Sequence, residues 1–407
     1  MLTFKYVARD PATGQKIKAE VEAENEAAAG RLLHDQGLAP LEISIKTGGS
    51  EFGPAKYLHR VKTKEKILFS RQLSTLINAG LPLIQSLRSV TKQTTSKKYQ
   101  AVLGQVISDI EGGSSFSKAI EQHPDEFDRI YVSLIAAGET SGTLDKALER
   151  IALQQEKDAE IMSKVRGAMV YPLVVLVVMF VVMGFMVVKV LPQVETLYEG
   201  LPGAQLPILT RALLAISHFI IKRWYIVIII LGLLTFFGSR WFKTVGGKRF
   251  MDKFKMKAWP IGPLFMKLYM ARFARTGTTL VASGVPLIQM LDITGDAIGN
   301  VYIKESLDKA TQKVKGGKSL SDSLQGDPNF LELVPDMLRI GEQSGAIEQM
   351  MAKTADYYEK EVDNQIKTVS TIIEPVLMVV LGVFAFIIVA AVLMPIYGLA
   401  GQSGFGG

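Results

Sequence analysis

The sequence predicts a mainly α, polytopic membrane protein in which a helical bundle and the membrane helix after it occur twice, behind a small N-terminal α/β unit. Three observations predict this class. Hydrophobic residues make up 48% of the 407 positions, and many of them gather into three apolar runs. The two halves of the chain repeat one another. Lysines and arginines concentrate on one side of the apolar runs, which is the usual mark of membrane orientation.

Residues 1–47 form the N-terminal unit. Phe4, Tyr6 and Ala8 alternate with Thr3, Lys5, Val7 and Arg9, and Lys16 to Glu22 alternates again after the turn residues Asp10 to Gly14. This pattern predicts a hairpin. An alanine-rich helix over Asn25 to Gln36 stops at Gly37, and Leu41 to Ile45 reads as a closing strand. Residues 48–62 have the composition of a linker. From Thr63 the period becomes helical. Residues 63–168 predict a bundle whose helices are separated at Gly80 and Pro82, at Gly112-Gly113 and at His123-Pro124.

The first span, 169–191, carries Lys189 as its only charge and is long enough to cross a bilayer as a helix. Residues 192–222 read as an external loop. A second span, 223–241, is short and edged by aromatic residues suited to the interfaces. A basic connector, 242–268, leads to a second bundle, 269–371. The third span, 372–396, is uncharged beyond Glu374, and residues 397–407 form an external tail. Nine basic residues and one acid, Asp252, lie between Arg240 and Arg272, against Arg211 alone between Pro192 and Ile221. The bundles and the N-terminus are therefore expected in the cytoplasm, where the absence of an N-terminal signal-peptide core also places the first residues. Much of the net charge of +7 is then an orientation signal. No basic face with stacking aromatics is evident, so a nucleic-acid partner is not expected.

The repeat is explicit. FSRQLSTLINAGLPLIQSL at 69–87 matches FARTGTTLVASGVPLIQML at 273–291 in ten of nineteen positions, at an offset of 204. That offset pairs Gly80 with Gly284 and Pro82 with Pro286. After a one-residue deletion the offset becomes 203. It then pairs Gly138-Glu139-Thr140-Ser141-Gly142 with Gly341-Glu342-Gln343-Ser344-Gly345, and Pro172 with Pro375. Both copies of the unit must cross the membrane in the same direction, so the unpaired second span returns the chain. The orientation read from charge requires the same.

Gly-Glu-x-Ser-Gly could cradle an anion, serve as a catalytic turn or break two helices apart. Its flanks are helical on both sides, so the reading is a corner: glycine closes one helix and Ser141 or Ser344 caps the next. Glu139 and Glu342 are then expected at bundle or subunit contacts, with a metal shared between Glu139 and a neighbouring subunit's acids as the alternative. Gly316-Gly317-Lys318-Ser319 imitates the end of a phosphate-binding loop. The glycine required five positions before Gly317 is Gln312, so a helix C-cap followed by a serine-capped helix is expected there. Four scattered histidines and no cysteine leave no catalytic set, no cofactor site and no metal-ligand set. Glu374, whose repeat partner is Tyr171, is expected at headgroup level or bonded to another helix. Pro172 and Pro375 are expected to loosen each entering helix.

The motifs INAGLPLIQSL, IEGGSSFSKAI, AAGETSGTLDKAL and AMVYPLVV, their second-half partners and the N-terminal FKYVARD segment resemble the inner-membrane platform family of type II secretion and type IV pilus assembly machines. The resemblance covers nearly the whole chain. It implies two six-helix cytoplasmic bundles and a homo-oligomer in the bacterial inner membrane. It also implies a non-enzymatic part that couples a cytoplasmic hexameric ATPase, with inner-membrane accessory proteins, to the addition or removal of pilin-like subunits. A transporter or channel built from the repeat is the alternative. Polar mid-membrane residues, which such proteins need, are missing from the span centres.

Overall fold

The computed structural model describes residues 2–9, 16–23, 26–35, 37–45, 61–199 and 207–403. The expected turn at Asp10 to Gly14 and most of the linker at 48–62 lie outside the described residues. The molecule is mainly helical, and among the described residues three helices are long and apolar enough to cross a membrane. It divides into two compact units, one of residues 1–157 and 276–297, the other of 158–275 and 298–407.

The first unit opens with three strands, β1 (Leu2–Arg9), β2 (Lys16–Ala23) and β3 (Ala39–Ile45), in antiparallel order β2-β1-β3. Alternation puts Tyr6 and Ala8 on one face, where Leu33 of helix α1 (Glu26–Asp35) packs on them. Helices α2 (Thr63–Asn78), α3 (Leu83–Gln93), α4 (Lys97–Glu111), α5 (Phe116–Glu121) and α6 (Arg129–Ser141) follow, and α7 (Leu144–Phe185) begins in this unit. Their core is aromatic: Phe69 meets Tyr99 and Phe127, and Phe127 meets Tyr131, edge-to-face with centroids 5.0–6.1 Å apart, while Tyr99 and Phe127 lie tilted at 6.2 Å. Side-chain caps start the helices where the sequence supplies them. Ser96, Ser115 and Asp128 accept from the Tyr99, Lys118 and Tyr131 amides, which satisfies one first-turn amide in each of α4, α5 and α6.

In the second unit, α7 runs on through Pro172 to Phe185 and passes through a π-helical turn (Met186–Val190) into α8 (Leu191–Glu199). Next come α9 (Ile208–Lys222), α10 (Trp224–Trp241) and α11 (Val245–Lys257). Helix α12 (Gly262–Ala282) and helix α13 (Leu287–Ile298) straddle the two units. The second unit then continues with α14 (Val301–Lys315), α15 (Leu320–Leu324), α16 (Leu333–Ser344) and α17 (Ile347–Ser403). Here Phe273 meets Phe330 edge-to-face at 5.3 Å, the counterpart of Phe69 and Phe127. The repeat also extends to an ion pair. Arg71 on α2 forks onto Glu156 on α7, and at the same repeat positions Arg275 on α12 forks onto Glu359 and Asp356 on α17.

Four expectations about extent differ from the structure. The external loop at 192–222 contains two helices, because ILTRALLAISHFIIK places apolar residues at helical spacing. The basic connector at 242–268 contains α11, and the first helix of the second bundle begins at Gly262, seven residues before the expected 269. The tail at 397–407 continues α17 as far as Ser403. The span at 372–396 lies wholly within α17, whereas the span at 169–191 leaves α7 at Phe185 and crosses the π turn to the start of α8; Pro172 and Pro375 both fall inside a helix.

Candidate functional site

Two copies of one corner dominate the polar interior. In the first, Gly142 adopts φ +72°, a left-handed conformation open to glycine, and its neighbour's amide (Thr143) returns to the carbonyl of Gly138 at 2.9 Å. Gly138 itself lies one turn inside α6. A Cβ there would stand 2.7 Å from that of Ala147, so its bare backbone is what lets α7 fold back against α6. The second copy repeats this with Gly345 at φ +69° and with Gly341, where a Cβ would lie 2.9 Å from Cα of Ile347. The expected caps are corrected. Ser141 donates to Ala137 O at 2.8 Å and Ser344 to Ile340 O at 2.6 Å, each within the helix that ends, not the helix that starts.

Glu139 and Glu342 point back into their own bundles. Glu139 accepts from the amides of Phe116 at 2.6 Å and Ser117 at 3.0 Å, and from the Ser117 hydroxyl. Glu342 accepts from the amides of Leu320 at 2.6 Å and Ser321 at 3.2 Å, and from the Ser321 hydroxyl. These amides open α5 and α15, the helices behind the two glycine pairs. Gly113 and Gly317 end the preceding helices at φ +96° and +89°, and Ser115 and Ser319 cap the short helices that follow. The place where a phosphate-binding loop would hold its anion is therefore taken by the chain's own carboxylate, in both repeats. The two motifs singled out separately in the sequence are partners of one another. Their separation is 22 residues in one copy and 21 in the other, and that recurrence was the available signal.

The remaining predicted positions fall into two groups. Gly80 and Gly284, at φ +84° and +80°, end α2 and α12, and Pro82 and Pro286 sit just before α3 and α13. Tyr171, Glu374 and Pro375 are exposed, whereas Pro172 is buried. Bonding of Glu374 to another helix, one of its two expected situations, has no counterpart among the described residues.

One feature of the apolar half was not expected. Prolines 192 and 395 occupy equivalent repeat positions, and each withholds an amide from a carbonyl in the preceding turn. The Ser217 hydroxyl donates to Val187 O at 2.6 Å, five residues before Pro192 in the π turn. The Thr210 hydroxyl donates to Ala391 O at 3.1 Å, four residues before Pro395. Both hydroxyls are fully buried and stand seven residues apart on one face of α9. That helix thus supplies the missing donors to both repeats' membrane-capable helices. A serine and a threonine seven apart in an apolar segment were the visible clue.

The family described as "Type II secretion system (T2SS), protein F" matches residues 69–192 and again 273–395, and "Type II secretion system protein F, N-terminal domain" matches residues 1–44. The chain is 37% identical to a type IV pilus assembly protein PilC of Thermus thermophilus, across 98% of this chain and 99% of the other. It is 34% identical to a PilC of Pseudomonas aeruginosa, across 91% and 98%. It is also 31% identical to a type II secretion system protein F of the same bacterium, across 98% and 99%.

Proposed function

Because the chain belongs to the type II secretion system protein F family, we propose that it is the inner-membrane platform of a type IV pilus or type II secretion machine. In this reading it is not an enzyme. It couples a cytoplasmic hexameric ATPase to the assembly or disassembly of a pilin-like filament, alongside inner-membrane accessory proteins. Each cytoplasmic half acts as a six-helix bundle, the small N-terminal unit lies on the same side, and the C-terminus is external. The chain works as a homo-oligomer.

The observation that carries the proposal is the direct continuity of bundle and membrane helix. In each repeat one unbroken helix starts at the glutamate-locked corner and continues as a membrane-capable span. A rigid helix of that kind transmits a tilt or rotation imposed on the bundle into the membrane. The interior around it offers anchored carboxylates and buried hydroxyls committed to structure, which suits a transmission part more than a reaction centre.

Photocrosslinkers at exposed Lys64 and Lys146 of the first bundle, in living cells, are expected to trap the secretion or pilus ATPase. Solute flux through the purified chain in vesicles, with no ATPase trapped from the first bundle, would replace this reading by the transporter.

A further inference from the structure

Within the first compact unit, the first repeat is covered on one face by residues 276–297 of the second. Arg129, at the start of α6, pairs with Asp292 at 2.9 Å and with Asp296, one turn further along α13. Arg150 on α7 donates to the Ser283 hydroxyl at 2.9 Å, and Thr279 on α12 donates to Gln154 at 3.3 Å. The contact is heterologous: the α6–α7 face of repeat one meets the α12–α13 face of repeat two. A heterologous contact between two copies of one unit leaves the other version of each face unused.

Those leftover faces can be read position by position. The repeat offset of 203 converts Arg129, Arg150 and Gln154 into Glu332, Lys353 and Tyr357. The offset of 204 converts Thr279, Ser283, Asp292 and Asp296 into Thr75, Ala79, Arg88 and Lys92. All seven counterparts are exposed. Gln154 and Thr279 are 6% and 7% exposed, whereas Tyr357 is 49% exposed. Leu68, on the same face of α2 as Thr75, is 52% exposed.

The charges are exchanged as well. In the contact already made, the cation belongs to repeat one and the two anions to repeat two. In the unused pair, Arg88 and Lys92 of repeat one would meet Glu332 of repeat two. Pairing repeat one with repeat one would set Arg129 against Arg88 and Lys92. Pairing repeat two with repeat two would set Glu332 against Asp292 and Asp296. Both like-with-like pairings are repulsive, so the pattern admits only first repeat with second. Arg88 also holds Glu111 in its own bundle, a solvent-exposed bridge that is cheaply shared or released.

We propose that the exposed α2–α3 face of the first repeat docks the exposed α16–α17 face of the second repeat in another copy of this chain. The contact made within the chain is thereby continued between chains, with Tyr357 and Leu68 supplying apolar area and the swapped charges selecting the partner. The proposal specifies the surface of the homo-oligomer named above, and it is tested without the ATPase, so failure here leaves the platform reading to its own experiment.

The chain has no cysteine, so single cysteines report alone. Differently tagged full-length chains carrying Thr75→Cys and Tyr357→Cys, co-expressed in membranes and treated with a short bis-maleimide, are expected to give a mixed dimer that neither gives by itself. Glu332→Lys is expected to lower its yield about tenfold, and Arg88→Glu with Lys92→Glu to do the same, since each replaces attraction by like-charge repulsion. Combining the three substitutions in every chain is expected to restore it. A Gln154→Cys, Thr279→Cys chain, crosslinked internally in every background, shows that the bundles remain folded. The proposal is overturned if no mixed dimer forms, if either single-cysteine chain alone gives the dimer in equal yield, if Glu332→Lys leaves the yield unchanged, or if the combined reversal fails to restore it.

Discussion

Replacing Glu342 by alanine isolates the lock at the second corner. The substitution removes the acceptor of the Leu320 and Ser321 amides and of the Ser321 hydroxyl, all at the start of α15. Leu320 and Ser321 are buried, so their amides are poorly placed to exchange the carboxylate for bulk water. A hydrogen bond to a charged group contributes about 1.5–3 kcal/mol, and the two amide bonds are not additive because Glu342 is itself only partly buried. A local loss of about 2–4 kcal/mol is expected. Amide hydrogen exchange on the full-length protein in detergent, followed in a peptide covering 318–324, should then speed up by roughly thirty- to several-hundred-fold. Glu342→Gln keeps one acceptor oxygen but turns a donor toward the second amide, so about half the effect is expected. Glu139→Ala should do the same to the amides of Phe116 and Ser117 and leave 318–324 unchanged. Unaltered exchange at Leu320 and Ser321 in Glu342→Ala would refute the assignment of the carboxylate as the helix's anion.

The other expected outcomes concern backbone space, the proline carbonyls and one ion pair. Gly341→Ala pushes a Cβ toward the backbone of Ile347 and should cost about 1–3 kcal/mol in detergent unfolding, with Gly138→Ala close behind against Ala147. Gly142→Ala meets open space but a left-handed φ, and about 1–2 kcal/mol is expected from that alone. Ser217→Ala and Thr210→Val each orphan a buried carbonyl. Each should cost about 1–3 kcal/mol in thermal unfolding, and the double variant should approach the sum because the two bonds serve different helices. The hydrogen bond from Arg71 holds the Glu156 carboxyl below its ordinary value. A depressed folded value stabilises above the unfolded carboxylate pKa of about 4.3 and is lost as pH falls through the folded one. Arg71→Ala should therefore destabilise by no more than about 1 kcal/mol at pH 7, and the difference from wild type should vanish in acid.

Much of the fold could be read in advance for local reasons. Strand alternation around Phe4, Tyr6 and Ala8, the apolar runs and the glycines at positive φ are properties of a few neighbouring residues, and the repeat is a comparison of letters. The corner at Gly138 to Gly142 was legible in kind, but its roles were shifted by one helix turn. Whether Ser141 or Thr143 begins α7 depends on where the left-handed residue falls, and two glycines competed for that place. The helices at 191–199 and 208–222 are hidden in the sequence because the low charge of a segment between two spans reports its side of the membrane and not its secondary structure.

By itself the sequence determined that a bundle and its span occur twice, which stretches are apolar enough to cross a bilayer, and where glycine must bend the chain. Only the tertiary structure decided that Glu139 and Glu342 fill the anion positions of their own bundles, and that Thr210 and Ser217 answer the prolines of two different helices. It alone decided which face of each repeat is covered. Nearly identical motifs in two copies predict identical environments, yet Thr279 is buried and Thr75 is not. Burial belongs to whatever packs against a residue, and in a heterologous contact two copies of one unit present opposite faces.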